Sequence, residues 1–338
     1  MPACAARLAS VRIERGVKFG LFFLSRCEPL PDVPHGDEEI APGVWVNRQL
    51  GFDMAAYWRE WLGSVAIDGL AHDGLALYVT MASENPDTSD AENIALQQRA
   101  SDILNALLLQ GVPAIERGLV GHGANADGDV RLRSYTSVGR HYFTTGIPPL
   151  AIGMEQIHRA MRLADRLRSM LEAFEEDRMR GYWSRVLRGS RILLTANRTE
   201  NTLGDRLHQF VRVTEALLRP SIGNSRNEFA HRAQTFALAN EAARTVLLQL
   251  YDLRSAVEHM NVPHEVIPGD TVEERIALVS HRTRQADVLA RFSLLRVLET
   301  GPLLEMFRTD AGIDSFWKLH DYERIQACGP RLDISAVP

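Results

Sequence analysis

The sequence has 338 residues, 45% of them hydrophobic and 24% charged, which is the balance of an ordinary soluble globular protein with room for two domains. The apolar run GLFFL at 20–24 is too short to span a bilayer, and no secretory cleavage pattern follows it, so we expect no membrane segment. The net charge of −5 is the sum of −6 over 1–150 and +1 over 151–338. Neither half is strongly basic, as a nonspecific nucleic-acid binder would be. Three cysteines without metal-ligand spacing predict a reduced, cytoplasmic protein that holds neither metal nor cofactor; they are Cys4, Cys27 and Cys328.

The first 150 residues mix short apolar runs with Gly, Pro and Asp, which predicts a mixed α/β domain. A helix is predicted over 89–110, because its start carries a good N-cap and Gly111 and Pro113 follow its end. Three apolar runs are strand candidates, at 10–24, 62–70 and 75–83.

Residues 118–135 form two extended arms around a Gly-, Asn- and Asp-rich tip, which predicts a hairpin. A phosphate-binding reading of those glycines would need a helix next, whereas the residues that follow are typical of a strand. His122 and His141 have no companions at metal-ligand spacing, so we interpret them as surface or structural histidines.

From about residue 152 the pattern becomes helical, and short links between amphipathic segments predict an antiparallel bundle. The segments are 154–195, 205–219, 226–240, 241–260 and 272–299, with Pro220, Pro263 and Pro302 as stops. The predicted fold class is therefore α+β, a mixed N-terminal domain followed by a helical bundle. Four regions are expected: a sensing or regulatory domain at 1–150, connecting helices at 151–199, the bundle at 200–310 and a C-terminal tail at 311–338.

The segment 246–261, VLLQLYDLRSAVEHMN, carries the candidate site. One helical stripe contains Val246, Leu250, Leu253, Val257 and Met260. At about 100° per residue, Arg254 lies roughly 80° to one side of this stripe and His259 roughly 140° to the other. The face between them carries Ser255 and Glu258, so a core-facing helix is predicted to display Arg, Ser, Glu and His outward near its end.

The Arg-to-His spacing itself is not informative. With 36 Arg and 11 His, an Arg four to six residues before a His is expected about 3.5 times by chance. The chain has four such pairs, beginning at Arg117, Arg226, Arg254 and Arg275. What distinguishes the Arg254 pair is its position after a long apolar stripe and just before a helix break.

Three segments together resemble the HEPN superfamily, particularly its Apea-like branch. They are FVRVTEALL, RNEFAHRAQTF and LQLYDLRSAVEHMN, and the resemblance covers roughly residues 200–300. YWREWLGSVAIDGL at 57–70, followed by the predicted helix, is similar to the usual leader of such proteins.

The resemblance implies a metal-independent endoribonuclease, or a nuclease-derived effector, of bacterial defence or toxin type, with RNA as substrate. His259 would be the acid and base, a role for which histidine is the suited residue type, and Arg254 would hold the phosphate. Ser255 would add a hydrogen bond. Because one helix separates Arg254 and His259 by 140°, the site would need a homodimer in which two copies share a cleft.

Three further residues and a second motif accompany this pair. Glu215 lies beside the apolar stripe of its own helix and is predicted to face Arg254 across the bundle. Asn261 follows His259 and Met260 where family members often have His-Gly, and Asn can take the left-handed backbone that ends a helix. A second motif, Arg226, Asn227 and His231, fits the wider superfamily form and is the second choice.

Two other interpretations stay open. In the first, Arg254 pairs with Glu258 one turn on, His259 caps the helix dipole, and the protein is a non-catalytic HEPN-like bundle for dimerisation or partner binding. In the second, the chain is an unrelated helical enzyme with a pocket lined from residues 40–145.

Overall fold

The structure is a computed structural model that describes residues 13–25, 29–48, 56–63, 74–83, 85, 90–112, 118–125, 128, 130–138, 151–196 and 201–338. The chain forms two compact units. The strand unit contains the described residues up to Ala164 except Leu109–Gly111, and the helical unit contains Leu109–Gly111 and Asp165–Pro338. The fold is α+β, as predicted. The expected boundary near 150 lies next to residues 139–150, which the structure does not describe. The two units divide within a helix, after Ala164.

The described strands of the first unit form one antiparallel sheet in the order β2-β3-β4-β1-β5-β6. They are β1 Val17–Ser25, β2 Glu38–Ala41, β3 Val44–Asn47, β4 Gly74–Ala82, β5 Gly118–Asn125 and β6 Val130–Val138. The strands predicted within 10–24 and 75–83 are confirmed as β1 and β4, and the predicted hairpin is β5 with β6. The candidate at 62–70 lies almost wholly outside the described residues.

Two helices are described in the strand unit before residue 151, α1 Ala56–Leu62 and α2 Ala91–Gln110, and the second confirms the predicted helix. Asp90 accepts the backbone N–H of Asn93 at 3.1 Å and so caps the start of α2. The helix lies so close to the sheet that a Cβ atom on Gly20 would collide with the carbonyl of Leu96. His122 is buried on β5, as a structural histidine should be, and His141 lies outside the described residues.

Nine helices are described after residue 150, and their bounds place the candidate site. They are α3 Met154–Glu176, α4 Ser184–Ala196, α5 Leu203–Leu218, α6 Ser225–Ala233, α7 Glu241–Glu258, α8 Val272–Glu299, α9 Gly301–Met306, α10 Asp310–Lys318 and α11 Asp321–Cys328. The central helix is α5, which packs against α4, α6, α7 and α8 and buries half of its residues. The predicted bundle is therefore present.

Side-chain caps explain why several predicted helix starts were close. Thr202 and Asp205 form a reciprocal capping box at α5, and Thr271 and Glu274 form another at α8. Asn240 caps α7 by accepting the N–H of Ala243 at 2.7 Å.

The prediction of a helix over 226–240 was too long, because α6 ends at Ala233. Beyond it the backbone bonds to the C-terminal segment instead of continuing the helix. Leu238 donates to the carbonyl of Leu332 and Leu332 donates to that of Phe236, each at 2.8 Å.

Residues 311–338, expected as a tail, are built into the bundle. They carry most of α10 and all of α11, and the indole N–H of Trp317 donates to the carbonyl of Leu217 on α5 at 3.1 Å. Gln285 on α8 donates to the carbonyl of Ile334 at 2.9 Å. Within the described ranges, no helix has the length and hydrophobicity that crossing a membrane requires.

Candidate functional site

Arg254 joins α7 to α5 through two carboxylates. Its Nη2 lies 3.1 Å from Oε2 of Glu215 on α5, and its Nη1 donates to Glu258 one turn on along α7. The Arg254 and Glu215 side chains are only 18% and 16% exposed. Both contacts considered from the sequence are therefore present. Arg254 does not point outward as expected but lies half-buried against α5.

Burial sets the electrostatics of this ion pair. Desolvation raises the pKa of Glu215 above its usual value, although the positive charge of Arg254 acts in the opposite direction. The Nε of Arg254 is buried and has no hydrogen-bond acceptor among the described residues.

The end of α7 carries the other residues of the predicted motif. His259 is the C-cap, is exposed, and its ring makes no hydrogen bond or ion pair with any described residue. The backbone carbonyl of Ser255 accepts the backbone N–H of His259 at 3.1 Å. A single chain therefore places Arg254 against α5 and leaves His259 in solvent.

The left-handed residue that ends α7 is Met260, with φ 58°, and not Asn261 as expected. Met260 donates to the carbonyl of Val257 at 3.0 Å and Asn261 to that of Ala256 at 2.8 Å, which is the Schellman pattern of a helix end. Met260 is also 95% exposed, so the prediction that it continues the apolar stripe was wrong, because the helix stops at Glu258.

The second-choice motif is divided between two directions. Arg226 on α6 forms a bidentate pair with Asp252 on α7, with N–O distances of 2.6 and 2.7 Å. Asn227 donates to the side chain of Asn224 at 3.2 Å. His231 points elsewhere, with Nε2 3.9 Å from Oδ1 of Asp321 on α11. Arg226 and His231 therefore do not share one site in this chain.

His208 is a candidate that the sequence reasoning missed. It lies on α5 in the same row as Arg212, Glu215 and Arg219, at spacings of four, three and four residues. Its Nε2 is buried without a partner among the described residues. Burial lowers the pKa of His208, and the charges of Arg254 and Arg212 lower it further, so the ring is neutral at pH 7. The spacing of this row on α5 was the available signal.

A groove of about 750 Å³ runs along α4, α5 and α7 and contains the Arg254 pair. Two carboxylates, Glu215 and Asp310, line it together with five arginines: Arg185, Arg188, Arg212, Arg219 and Arg254. The aromatic ring of Tyr251 also lines it. A concave surface with this excess of guanidinium groups attracts anions, and its volume is that of a small-molecule or nucleotide site.

The arginines of the groove differ in how they are neutralised. Arg185 holds Asp310 with two bonds of 2.6 and 3.1 Å. Arg219 donates to the backbone carbonyl of Asp310 at 2.7 Å and lies 2.8 Å from the Asp314 carboxylate. Arg188 and Arg212 are exposed, and neither makes a hydrogen bond or ion pair with any residue in the described part of the chain. Arg188 and Arg212 are therefore the groove arginines without an ion-pair partner among the described residues, although the charge of Arg212 acts to lower the pKa of Glu215.

No group of three or more His, Cys, Asp and Glu side chains suited to a metal ion occurs among the residues that the structure describes. No protein-family model, curated protein or solved structure matches this chain. The resemblance to HEPN proteins stays a prediction that rests on the sequence pattern of residues 200–300.

Proposed function

We propose that this protein is a metal-independent endoribonuclease, or an effector derived from one, of the bacterial defence or toxin type. The observation that carries the proposal is the arginine-lined groove, whose lining includes Arg254. His208 is outside that lining but lies on α5 in the same row as two lining residues, Arg212 and Glu215. A groove of this charge and size suits a phosphodiester, and a neutral imidazole suits proton abstraction near pH 7. We propose a cytoplasmic location, where RNA would be accessible.

The proposed reaction is attack of the ribose 2′-oxygen on the neighbouring phosphorus. A histidine removes the 2′-hydroxyl proton, the new O–P bond forms, and the bond from phosphorus to the 5′-oxygen breaks. A proton returned to the 5′-oxygen completes the step and leaves a 2′,3′-cyclic phosphate and a 5′-hydroxyl. Arg254 would stabilise the negative charge that accumulates on the phosphate oxygens, with Ser255 as an additional donor.

Two histidines are candidates for the proton transfer, and they imply different assemblies. His208 would act within one chain, because it lies on α5 in the same row as Glu215, the carboxylate that pairs with Arg254. His259 would need a homodimer, because it lies in solvent at the end of α7. Glu215 and Glu258 would orient Arg254 in either case, and Asn261 would hold the helix end.

The test is cleavage of a 5′-labelled single-stranded RNA by the full chain in the presence of a chelator. We expect Arg254→Lys to reduce the rate about a hundredfold, because the planar fork of donors is lost while the charge stays. His208→Gln and His259→Gln are each compared with His264→Gln, a neighbouring histidine outside the motif. Undiminished cleavage by the Arg254 variant and by both histidine variants would sink the proposal.

A second candidate function is a non-catalytic HEPN-like bundle for dimerisation or partner binding. The observation that favours it is that two carboxylates already neutralise Arg254, which is what a purely structural ion pair would show. Under this function the purified protein leaves RNA intact in every buffer. Arg254→Ala would then weaken self-association or partner binding, as measured by sedimentation.

A further inference from the structure

The groove contains two arginines that the fold does not use. Arg188 lies on α4 and Arg212 on α5, and both are exposed without an ion pair or hydrogen bond to any described residue. They lie at the same level, because Gly189 faces Val213: a Cβ atom on Gly189 would meet the Val213 side chain at 3.8 Å. Both line the groove, where an anion would meet guanidinium donors from two helices.

The remaining groove charges are occupied, which restricts where an anion would bind. Asp310 forms ion pairs with Arg185 and, at the longer distance of 3.6 Å, with Arg219. Glu215 and Glu258 form ion pairs with Arg254. The available positive potential is thus displaced towards Arg188 and Arg212. Arg254 lines the same groove.

Tyr251 adds an aromatic surface to this charged groove. It is half-buried on α7, one turn before Arg254, and packs against Phe229 with ring centroids 5.7 Å apart. Its ring is therefore held in place while it lines the groove. Arginines that hold phosphates beside a fixed aromatic ring that stacks a base are the combination by which proteins bind single-stranded nucleic acid.

We propose that this groove is the binding path of a single polynucleotide strand, with phosphates held by Arg188 and Arg212 and a base stacked on Tyr251. The identity of the strand as RNA rests on the proposed function. The strand would approach Arg254 along α5, so the groove supplies substrate positioning within one chain. Double-stranded RNA would bind less well, because its bases are paired and cannot reach the tyrosine ring.

The test measures binding of a fluorescein-labelled 2′-O-methyl oligouridine to the full chain by anisotropy at several salt concentrations. This strand has no 2′-hydroxyl and cannot be cleaved, so binding is read independently of catalysis. We expect Arg188→Gln and Arg212→Gln each to reduce the log–log salt slope by about 0.7, the value for one phosphate contact on a single strand. Tyr251→Leu should weaken binding about tenfold with the slope unchanged.

The matched control is Arg191→Gln, an exposed arginine on α4 that does not line the groove. We expect it to leave both affinity and salt slope unchanged, and all four variants to melt within a degree or two of the parent. The inference is overturned if Arg191→Gln has the same effect as Arg188→Gln and Arg212→Gln, or if those two leave the slope unchanged. Groove-dependent binding without cleavage of unmodified RNA would contradict the proposed function alone, whereas cleavage unaffected by the groove variants would contradict only this inference.

Discussion

The two units neutralise their basic side chains in different ways. In the strand unit Lys18 is only 1% exposed, and it donates to the carboxylates of Asp90 and Glu92, the latter at 2.7 Å. In the helical unit Arg188 and Arg212 line a groove with no ion-pair partner among the described residues. Removing one partner from a buried ion pair destabilises a fold strongly, whereas an exposed arginine without an ion pair contributes little to stability.

The difference separates a charge that the fold requires from charges that a ligand can use. Burial opposes protonation of Lys18, but its hydrogen bonds to Asp90 and Glu92 prevail and raise its pKa, so its charge is committed to the fold. Departures from local consistency concentrate at functional sites. The unpaired arginines of the groove are such a departure, and the paired lysine is not.

The largest expected effect comes from removing the buried lysine. Lys18→Met should lower the melting temperature by roughly 8 °C, because two carboxylates then face each other without their cation. Lys318→Met, at the exposed end of α10, removes the other lysine of the chain and should change the melting temperature by less than about 1 °C. Equal melting temperatures for the two variants would show that the buried ion pairs of Lys18 do not stabilise the fold.

The Arg254 pair lies between these extremes, since it is half-buried and borders the groove. Arg254→Ala should cost about 2 kcal/mol of unfolding free energy, because it leaves Glu215 without its cation in a region of low solvent access. The double variant Arg254→Met with Glu215→Leu should lose much less unfolding free energy than Arg254→Ala, because it removes the half-buried carboxylate together with its cation. Denaturant titration of the variants measures both. If Arg254→Ala is as stable as the parent, the pair with Glu215 does not stabilise the fold.

His208 gives a pH-dependent test of the same electrostatics. Its folded pKa is lowered from 6.5 by burial and by Arg254 and Arg212, against the opposing charges of Glu258 and Asp205. The unfolded chain therefore binds the proton more readily, so the stability linked to this ring is fully present above pH 6.5 and is lost as the pH falls towards the folded pKa. We expect His208→Gln to flatten the fall in melting temperature below pH 6.5, and His264→Gln to leave it unchanged.

The smallest effect concerns backbone strain rather than charge. Met260 adopts a left-handed conformation at the end of α7 that glycine takes without a Cβ penalty. Met260→Gly should raise the unfolding free energy by about 1 kcal/mol. A loss of stability in a thermal melt would show that the exposed Met260 side chain makes a favourable contact that outweighs the strain.

Much of the fold could be predicted because its signals are local. The helix over 272–299 has the predicted bounds, since a capping box begins it and Gly301 and Pro302 follow it. The strands β2 and β3 were missed because each has four residues, too few to show alternation. The early end of α6 depends on pairing with Leu332, almost 100 residues away, which no local pattern records.

The candidate site divides in the same way. The contact between Glu215 and Arg254 followed from two helical faces and could be predicted. The groove could not, because it depends on how α4 packs against α5 and brings Arg188 level with Arg212. His208 was overlooked for a similar reason, since the burial of its ring and the effect of the Arg254 charge on its pKa depend on the packing of α5 on α7.

The most direct test is a crystal structure of the full chain with a bound 2′-O-methyl oligouridine. We predict a phosphate oxygen within hydrogen-bond distance of both Arg188 and Arg212 and a base stacked on Tyr251. An oligonucleotide that lies beside His259 and touches none of these three side chains would show that the groove is not the binding path.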